Sequence, residues 1–178
     1  MTAETLPRPG AGEYNEYYQR YVEMVPDGDI VETLRREMTE TQALLASVPA
    51  DREAYRYAEG KWSLREVVGH LIDTERLFAF RALWFARGEE AEMRGMDQEA
   101  WARHSSAADR SLPDLADEWA ALRRANVHMF RSFDAPVGAR GGVASGFHVT
   151  VRALVWMIAG HELHHRALIR RDYLGELT

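Results

Sequence analysis

The 178-residue chain is 46% hydrophobic and 28% charged, a length and composition that fit one globular domain with a single core. Its formal net charge of -6 disfavours a nucleic-acid-binding protein, which needs a positively charged surface. Because the sequence has no cysteine, disulfides, thiolate metal sites and cysteine nucleophiles are excluded.

The N-terminal residues predict a mobile tail in front of a single folded domain. Residues 1–12 are polar and contain proline and glycine, which is typical of a flexible segment, and we expect the domain to span residues 13–178. The segment lacks the apolar centre of a signal peptide, and no apolar run has the length needed to cross a bilayer. We therefore expect a cytoplasmic protein without a membrane partner.

The first half of the domain predicts two long helices after a short helical lead-in at 14–25. The first helix covers about 29–48, where apolar residues recur at three-to-four spacing. The second helix begins with Ser63 and Glu66, the pair in which each side chain binds the other residue's free backbone amide. It stops at Gly88.

The second half predicts a long polar connection and two more helices. The connection covers 89–110 and has one expected helical turn at "DQEAWARH". Ser111 can cap a third helix with Pro113 in its first turn, and Thr150 can cap a fourth, which ends before Gly175. No segment shows convincing strand alternation. The sequence thus predicts an all-α four-helix bundle with long crossover connections.

Six arginines occur as three adjacent pairs, which are Arg35–Arg36, Arg123–Arg124 and Arg170–Arg171. Paired charges usually lie on the water-exposed side of a helix. We therefore expect these pairs on the surface of the bundle.

The last predicted helix carries histidines where a core-facing helix normally carries leucine. His161 and His165 share one stripe with Leu154, Ile158 and Leu168. Residues four apart lie one turn apart, with Cβ atoms roughly 5–6 Å from each other, so both imidazoles can bind one ion. On an exposed helix the same spacing usually means two solvated histidines. In an apolar seam each ring would leave a polar nitrogen unpaired, which favours a metal site.

A third metal ligand is available on the second helix. His70 lies among residues that straddle the inward face of that helix, although a single histidine there is also compatible with an ordinary core position. His164 is rotated about 100° from His165 and is less suited as a ligand. His70, His161 and His165 are therefore the candidate ligands.

Two segments resemble the signature helices of the DinB/YfiT-like superfamily, namely "GKWSLREVVGHLIDTERLFAFRALWFARG" and "LVWMIAGHELHHRALIRRDYL". The resemblance covers about residues 29–174. It implies a four-helix bundle in which one histidine of the second helix and an H-x-x-x-H pair of the last helix hold a divalent metal. Those positions are His70, His161 and His165 here. The segment "GMDQEAW" resembles a frequent Asp-containing turn of the family, and no catalytic role is assigned to Asp97.

The resemblance implies hydrolysis in some branches and transfer or isomerisation with a low-molecular-weight thiol in others. Three neutral imidazoles leave at least one coordination position open, which is typical of catalytic metal sites. We expect zinc or nickel, with iron or manganese as alternatives, and a small-molecule substrate. A non-catalytic, stress-associated metal- or ligand-binding bundle is the alternative function, and a bundle without metal is a third hypothesis.

No catalytic residue can be selected from the sequence. Asp73, Glu75, Glu162 and His164 are neighbours of the ligands in sequence only. We expect Asp73 or Glu162 to orient a ligand ring through its second nitrogen rather than to act as a general base.

A homodimer is also expected, because family members are often dimeric. The last helix is apolar all round, with Ala153, Trp156 and Gly160 on the side away from the histidines. That side can form a dimer interface or pack against the N-terminal lead-in of the same chain.

Overall fold

The computed structural model describes residues 6–175, and this part of the chain is helical except for its connections and one short hairpin. The helices are α1 (Gln19–Met24), α2 (Ile30–Ala46), α3 (Leu64–Ala86), α4 (Gln98–His104), α5 (Leu112–Arg131), α6 (Ala135–Gly138) and α7 (Val151–Leu168). A π-helical turn, Ile169–Tyr173, extends α7. The hairpin pairs β1 (Gly141–Ala144) with β2 (Phe147–Thr150) in antiparallel register.

The predicted helix starts are confirmed by side chains that bind free backbone amides. Asp29 caps α2, and Ser63 and Glu66 form a complete capping box at α3. Ser111 caps α5, and Thr150 caps α7. These local signals fix where each long helix begins and, through the helical period, which residues face inward.

The helices α2, α3, α5 and α7 form a four-helix bundle, which confirms the predicted fold class. Both α2 and α3 pack against α5 and α7, so α2 and α3 occupy opposite corners. The connection after α3 carries α4, and the connection after α5 carries α6 and the hairpin. The short helix α1 packs along the outside of α7. In the described part of the chain, no helix is both long enough and apolar enough to cross a lipid bilayer.

The bundle interior consists of two apolar clusters separated by a layer of buried polar side chains. The first cluster contains Leu34 and Phe78, and the second contains Leu44 and Leu71. On each long helix, polar residues lie between members of the two clusters; they are Glu37, Thr41, Thr74, Glu75, Arg123, Asn126, His161, Glu162 and His165. Buried polar and charged groups are costly unless they are paired or bind a ligand, so this layer marks the region where function is expected.

The hairpin before α7 was not predicted. Each strand has four residues, and β1 begins with two glycines, so neither shows an alternating pattern. Ser145 and Gly146 form the turn with φ angles of 56° and 80°, the left-handed conformation that two-residue hairpin turns require. The backbone of Met93 pairs with this hairpin through bonds to Val143 and Ser145. The hairpin thereby fastens the connection that follows α3.

The segment 1–12 was predicted to be a mobile tail, and its described part, which begins at Leu6, contacts the bundle. Leu6 is 2% exposed, and its carbonyl accepts a 3.0 Å bond from the indole of Trp156. Arg8 donates to the carbonyls of Val22 and Val25 and lies over the Trp156 ring. Residues 1–5 lie outside the described residues.

The apolar side of α7 is covered by the N-terminal part of the same chain. A Cβ at Gly160 would lie only 2.0 Å from the carbonyl oxygen of Tyr21, so α1 contacts α7 directly at this point. Trp156 is 1% exposed beneath Leu6. Of the two sequence-based interpretations of this side, packing within the chain is the one observed.

Candidate metal centre

Three histidines from two helices meet inside the bundle. His70 lies in α3, and His161 and His165 lie one turn apart in α7. The Nε2 atom of His161 is 3.1 Å from the Nε2 atoms of both His70 and His165, and one nitrogen from each ring lies within 4.8 Å of the others. Each of these residues is 8% exposed. The packing of α3 on α7 thus joins the three candidate ligands.

Hydrogen bonding among the rings does not account for this arrangement. A neutral imidazole nitrogen carries either one proton or one lone pair, so Nε2 of His161 can satisfy only one of its two neighbours. In addition, Nδ1 of His165 is buried without a hydrogen-bond partner among the described residues. A cation shared by three lone pairs resolves the crowding, since nitrogen ligands lie about 2.0–2.1 Å from zinc. The donor set therefore fits a divalent metal ion.

Burial keeps the rings in the neutral form that binds metals. It lowers the pKa of His70 to about 4. Burial also lowers the pKa of His161 and of His165 well below 6.5, and the neighbouring histidines lower both further. The centre is consequently uncharged at neutral pH before any ion binds.

Aromatic side chains enclose the centre. The Trp62 ring lies 4.9 Å from that of His70, and the Tyr21 ring lies 5.7 Å from that of His161, measured between centroids. The centroid of the His164 ring lies 5.2 Å from that of Tyr21. His164 does not belong to the group of three candidate metal ligands.

The expected orienting role of Asp73 or Glu162 is not observed in the described residues. Glu162 binds Thr41 and Arg123 and makes no bond to a ligand histidine. Asp73 lines a groove of about 610 Å³ whose lining includes none of the three candidate ligands. The hydroxyl of Thr74 lies 3.4 Å from Nδ1 of His70 and is the polar group nearest to that second ring nitrogen in the described residues.

A buried ion cluster, which was not predicted from the sequence, lies beside the histidines. Arg123 is 0% exposed, so the expectation that its pair lies on the surface is wrong for this residue, whereas Arg124 is exposed. The Arg123 guanidinium donates to both oxygens of Glu75, at 2.7 and 2.8 Å, and to Glu162. Asn126 also donates to Glu75. Two carboxylates thus share one buried guanidinium, and one of them belongs to the residue that follows His161.

Two cavities reach the histidine cluster. One, of about 240 Å³, is lined by His70 and His161. The other, of about 210 Å³, reaches His165 between Trp62 and Tyr173. The cluster therefore lies in the bundle interior but is accessible to a small ligand, as a catalytic site requires.

Comparison with known proteins gives one family. The sequence model of the DinB superfamily matches residues 33–169. Among curated proteins, none matches the chain.

Several solved structures share the fold. YfiT from Bacillus subtilis, described as a probable metal-dependent hydrolase with an unusual four-helix bundle topology, aligns with a TM-score of 0.64 and 18% identity over 95% of this chain and 94% of its own. A DinB-like protein from Bacillus subtilis, YjoA, aligns with a TM-score of 0.58 and 22% identity over 84% of this chain and 94% of its own. A mycothiol-dependent maleylpyruvate isomerase aligns with a TM-score of 0.65 and 15% identity over 85% of this chain. This chain spans 62% of that isomerase.

Proposed function

The chain belongs to the DinB superfamily, and from that membership we propose that it is a metal-dependent enzyme in which His70, His161 and His165 hold one divalent ion. The observation that carries the proposal is the convergence of their ring nitrogens within 4.8 Å, with His70 and His161 lining a cavity. The proposed reaction is hydrolysis of a small molecule. The likeness to YfiT, described as a probable metal-dependent hydrolase, supports this choice.

The chemistry of the site follows from its donor set. A divalent ion held by three neutral ligands would act as a Lewis acid toward a carbonyl or a bound water molecule. The protein's own contribution is to keep the imidazoles neutral by burial and to hold them in place between Trp62 and Tyr21.

A thiol-dependent transferase or isomerase is the second candidate reaction. The shared fold with a mycothiol-dependent isomerase supports it, and the same Lewis-acid site would favour the thiolate form of a small thiol. A non-catalytic metal- or ligand-binding bundle is the third candidate. Zinc or nickel is the proposed ion, because imidazole ligands suit both metals. Iron and manganese are the alternatives.

Metal content and turnover together test the proposal. Untagged protein is analysed for bound metals and then incubated with ester, amide and epoxide substrates, with and without a small thiol. We expect stoichiometric metal and turnover that a chelator abolishes. Turnover without thiol supports the hydrolase, and turnover only with thiol supports the transferase.

The matched variants are His161→Ala and His164→Ala, which alter neighbouring histidines on the same helix. We expect the first to lose both metal and turnover and the second to keep both. Metal bound without any turnover would favour the non-catalytic bundle, and absence of metal from the parent would refute the proposed site. A homodimer and a cytoplasmic location stay predictions that rest on the family resemblance and on the sequence.

A further inference from the structure

We propose that Arg81 binds the carboxylate of the substrate, so that the enzyme acts on small organic acids whose reacting group faces the histidines. This inference rests on the proposed function, because it names the substrate class of the same site. It is carried by a buried arginine that has an unused donor and lines the cavity of the metal centre.

Arg81 is buried without an acidic partner. It is 4% exposed, and no carboxylate of the described residues forms a salt bridge with it. Burial lowers its pKa, which reflects the cost of keeping this charge away from water. A buried cation normally has an anion beside it. Arg123, the other buried arginine discussed above, is paired with the carboxylates of Glu75 and Glu162, whereas Arg81 has no such partner in the described residues.

The neutral contacts of Arg81 orient its guanidinium and use only its Nη2 group. Nη2 donates to the carbonyl of Arg94 at 2.6 Å and to the hydroxyl of Ser145 at 3.0 Å. The Nε–H group is buried and has no acceptor in the described part of the chain. Leaving a buried charged donor unpaired is unfavourable, so the geometry calls for an external acceptor. A singly charged carboxylate matches the single guanidinium.

Arg81 lines a cavity that it shares with the metal centre. Arg81 and His70 are 11 positions apart in α3, which places them on the same side of the helix about three turns from each other. The cavity of about 240 Å³ is lined by His70 and His161 and also by Arg81. A second cavity, of about 220 Å³, adjoins Arg81 and Ser145 as well. A ligand anchored by its carboxylate at Arg81 can therefore extend toward the histidines.

The connections of the bundle hold Arg81 in place. Ser145 lies at the hairpin turn with a φ of 56°, an unusual conformation for a residue other than glycine. Its backbone amide binds the carbonyl of Met93 at 2.9 Å, while its hydroxyl accepts from Arg81. Gly95 packs against it, since a Cβ there would lie 3.3 Å from the Ser145 hydroxyl oxygen. Ser145 is thus a positioning residue for Arg81.

Ligand binding to the full chain tests this inference. Phenylacetate and its neutral analogue phenylacetamide are titrated into the parent protein and into Arg81→Met by calorimetry. We expect phenylacetate to bind more tightly than phenylacetamide to the parent, and Arg81→Met to weaken phenylacetate at least about tenfold. The affinity for phenylacetamide should not change. Arg87→Met, which removes an exposed arginine after the end of the same helix, controls for net charge.

The same titrations in His161→Ala separate this inference from the proposed function. Arg81 is not a metal ligand, so its contribution to phenylacetate binding should persist in that variant even when no metal is bound. If Arg81→Met does not fold, Ser145→Ala provides the second variant, and we expect it to weaken phenylacetate selectively. Equal affinities of the parent for phenylacetate and phenylacetamide, or unchanged phenylacetate binding in Arg81→Met, would overturn the inference. Tighter binding of inorganic phosphate than of phenylacetate would overturn the assignment to carboxylates.

Discussion

Arg123 reaches across the bundle to the carboxylate of Glu162, the residue that directly follows His161 in α7. The same guanidinium binds Glu75, so one buried cation serves two carboxylates from two other helices. Because charges interact strongly where water is excluded, this arrangement ties α3, α5 and α7 together beside the histidine centre.

Replacing Arg123 by methionine should strongly destabilise the fold. The substitution leaves Glu75 and Glu162 buried without their counterion, and breaking a buried ion pair in this way costs about 3–5 kcal/mol. Urea denaturation of the metal-free protein measures the change in the free energy of unfolding. The neighbouring variant Arg124→Met alters an exposed arginine and should change the free energy by less than about 0.5 kcal/mol.

The triple variant Glu75→Gln/Arg123→Met/Glu162→Gln distinguishes lost charge pairing from lost packing. It removes all three charges, so it should be more stable than Arg123→Met alone. If the single and triple variants lose the same stability, the ion cluster would not be the source of the effect.

Glu37 should make the protein less stable as the pH rises. Its side chain is buried, and neither carboxylate oxygen has a hydrogen-bond partner among the described residues. Burial, and then the charge of Glu162, raises its pKa from 4.5 to about 9. Between these values the folded state holds a proton that the unfolded state has released, so stability falls with rising pH by up to about 1.4 kcal/mol per pH unit.

The variant Glu37→Gln tests this dependence, because glutamine resembles the protonated acid at every pH. We expect its stability advantage over the parent to grow between pH 5 and pH 8 in denaturation experiments. Glu32→Gln, at an exposed position of the same helix, should follow the parent. Parallel curves for the parent and Glu37→Gln would show that Glu37 is ionised in the folded state.

The helix starts and the histidine pair can be predicted from the sequence, because both depend on local patterns. The groups that surround the histidines cannot be predicted in this way. A capping box needs two residues three apart, and the ligand pair needs two histidines four apart on one helical face. The approach of His70 depends on the packing of α3 against α7, for which the family resemblance was needed. Arg123 was misjudged because it stands in an arginine pair, although it continues the core-facing spacing of Trp119 and Val127.

The hairpin and the packed N-terminal segment could not be predicted from local patterns. The two hairpin strands are neighbours in the sequence, but the bonds that hold the hairpin and the N-terminal segment in place join residues that are far apart. The backbone amide of Thr150 binds the carbonyl of Glu13, and the Glu13 carboxylate accepts from Arg152. As long as these partners are not known, a polar N-terminal segment that contains proline and glycine has the sequence of a mobile tail.

Acidification should destabilise the metal-free protein through the buried histidines. The folded-state pKa of His70 is lowered to about 4 from 6.5, so between these values the unfolded state binds more protons. The contribution of neutral His70 to the free energy of unfolding is therefore complete above pH 6.5. It decreases as the pH falls from 6.5 toward 4, by up to about 1.4 kcal/mol per pH unit for each such group.

Denaturation in the presence of a chelator at pH 7.5, 6.5 and 5.5 measures this effect. His70→Gln should show a shallower pH dependence than the parent, whereas His104→Gln, at an exposed site, should show the same dependence. In metal-loaded protein the loss should be steeper, because protonation also releases the ion. Identical slopes for the parent and His70→Gln would mean that His70 titrates normally in the folded chain.

Gly160→Ala should weaken both the fold and the metal centre. Alanine is favoured over glycine within a helix by about 1 kcal/mol, but the new Cβ would lie 2.0 Å from the Tyr21 carbonyl oxygen and 2.4 Å from its carbonyl carbon. Backbone atoms cannot rotate away, so α1 must move off α7, at a cost of about 1–3 kcal/mol for overpacking. The strain should therefore exceed the gain in helix propensity.

The metal centre is affected because Tyr21 also contacts His161, so a displacement of α1 exposes that ring. We expect Gly160→Ala to lower the melting temperature and to raise the metal dissociation constant measured by competition with a chelator. Gly10→Ala is the control, because its nearest contact is a Glu13 oxygen at 3.5 Å, an ordinary van der Waals distance. A Gly160→Ala protein as stable as the parent would contradict the close packing of α1 on α7. If it were destabilised but bound metal unchanged, α1 would support the fold without supporting the ligands.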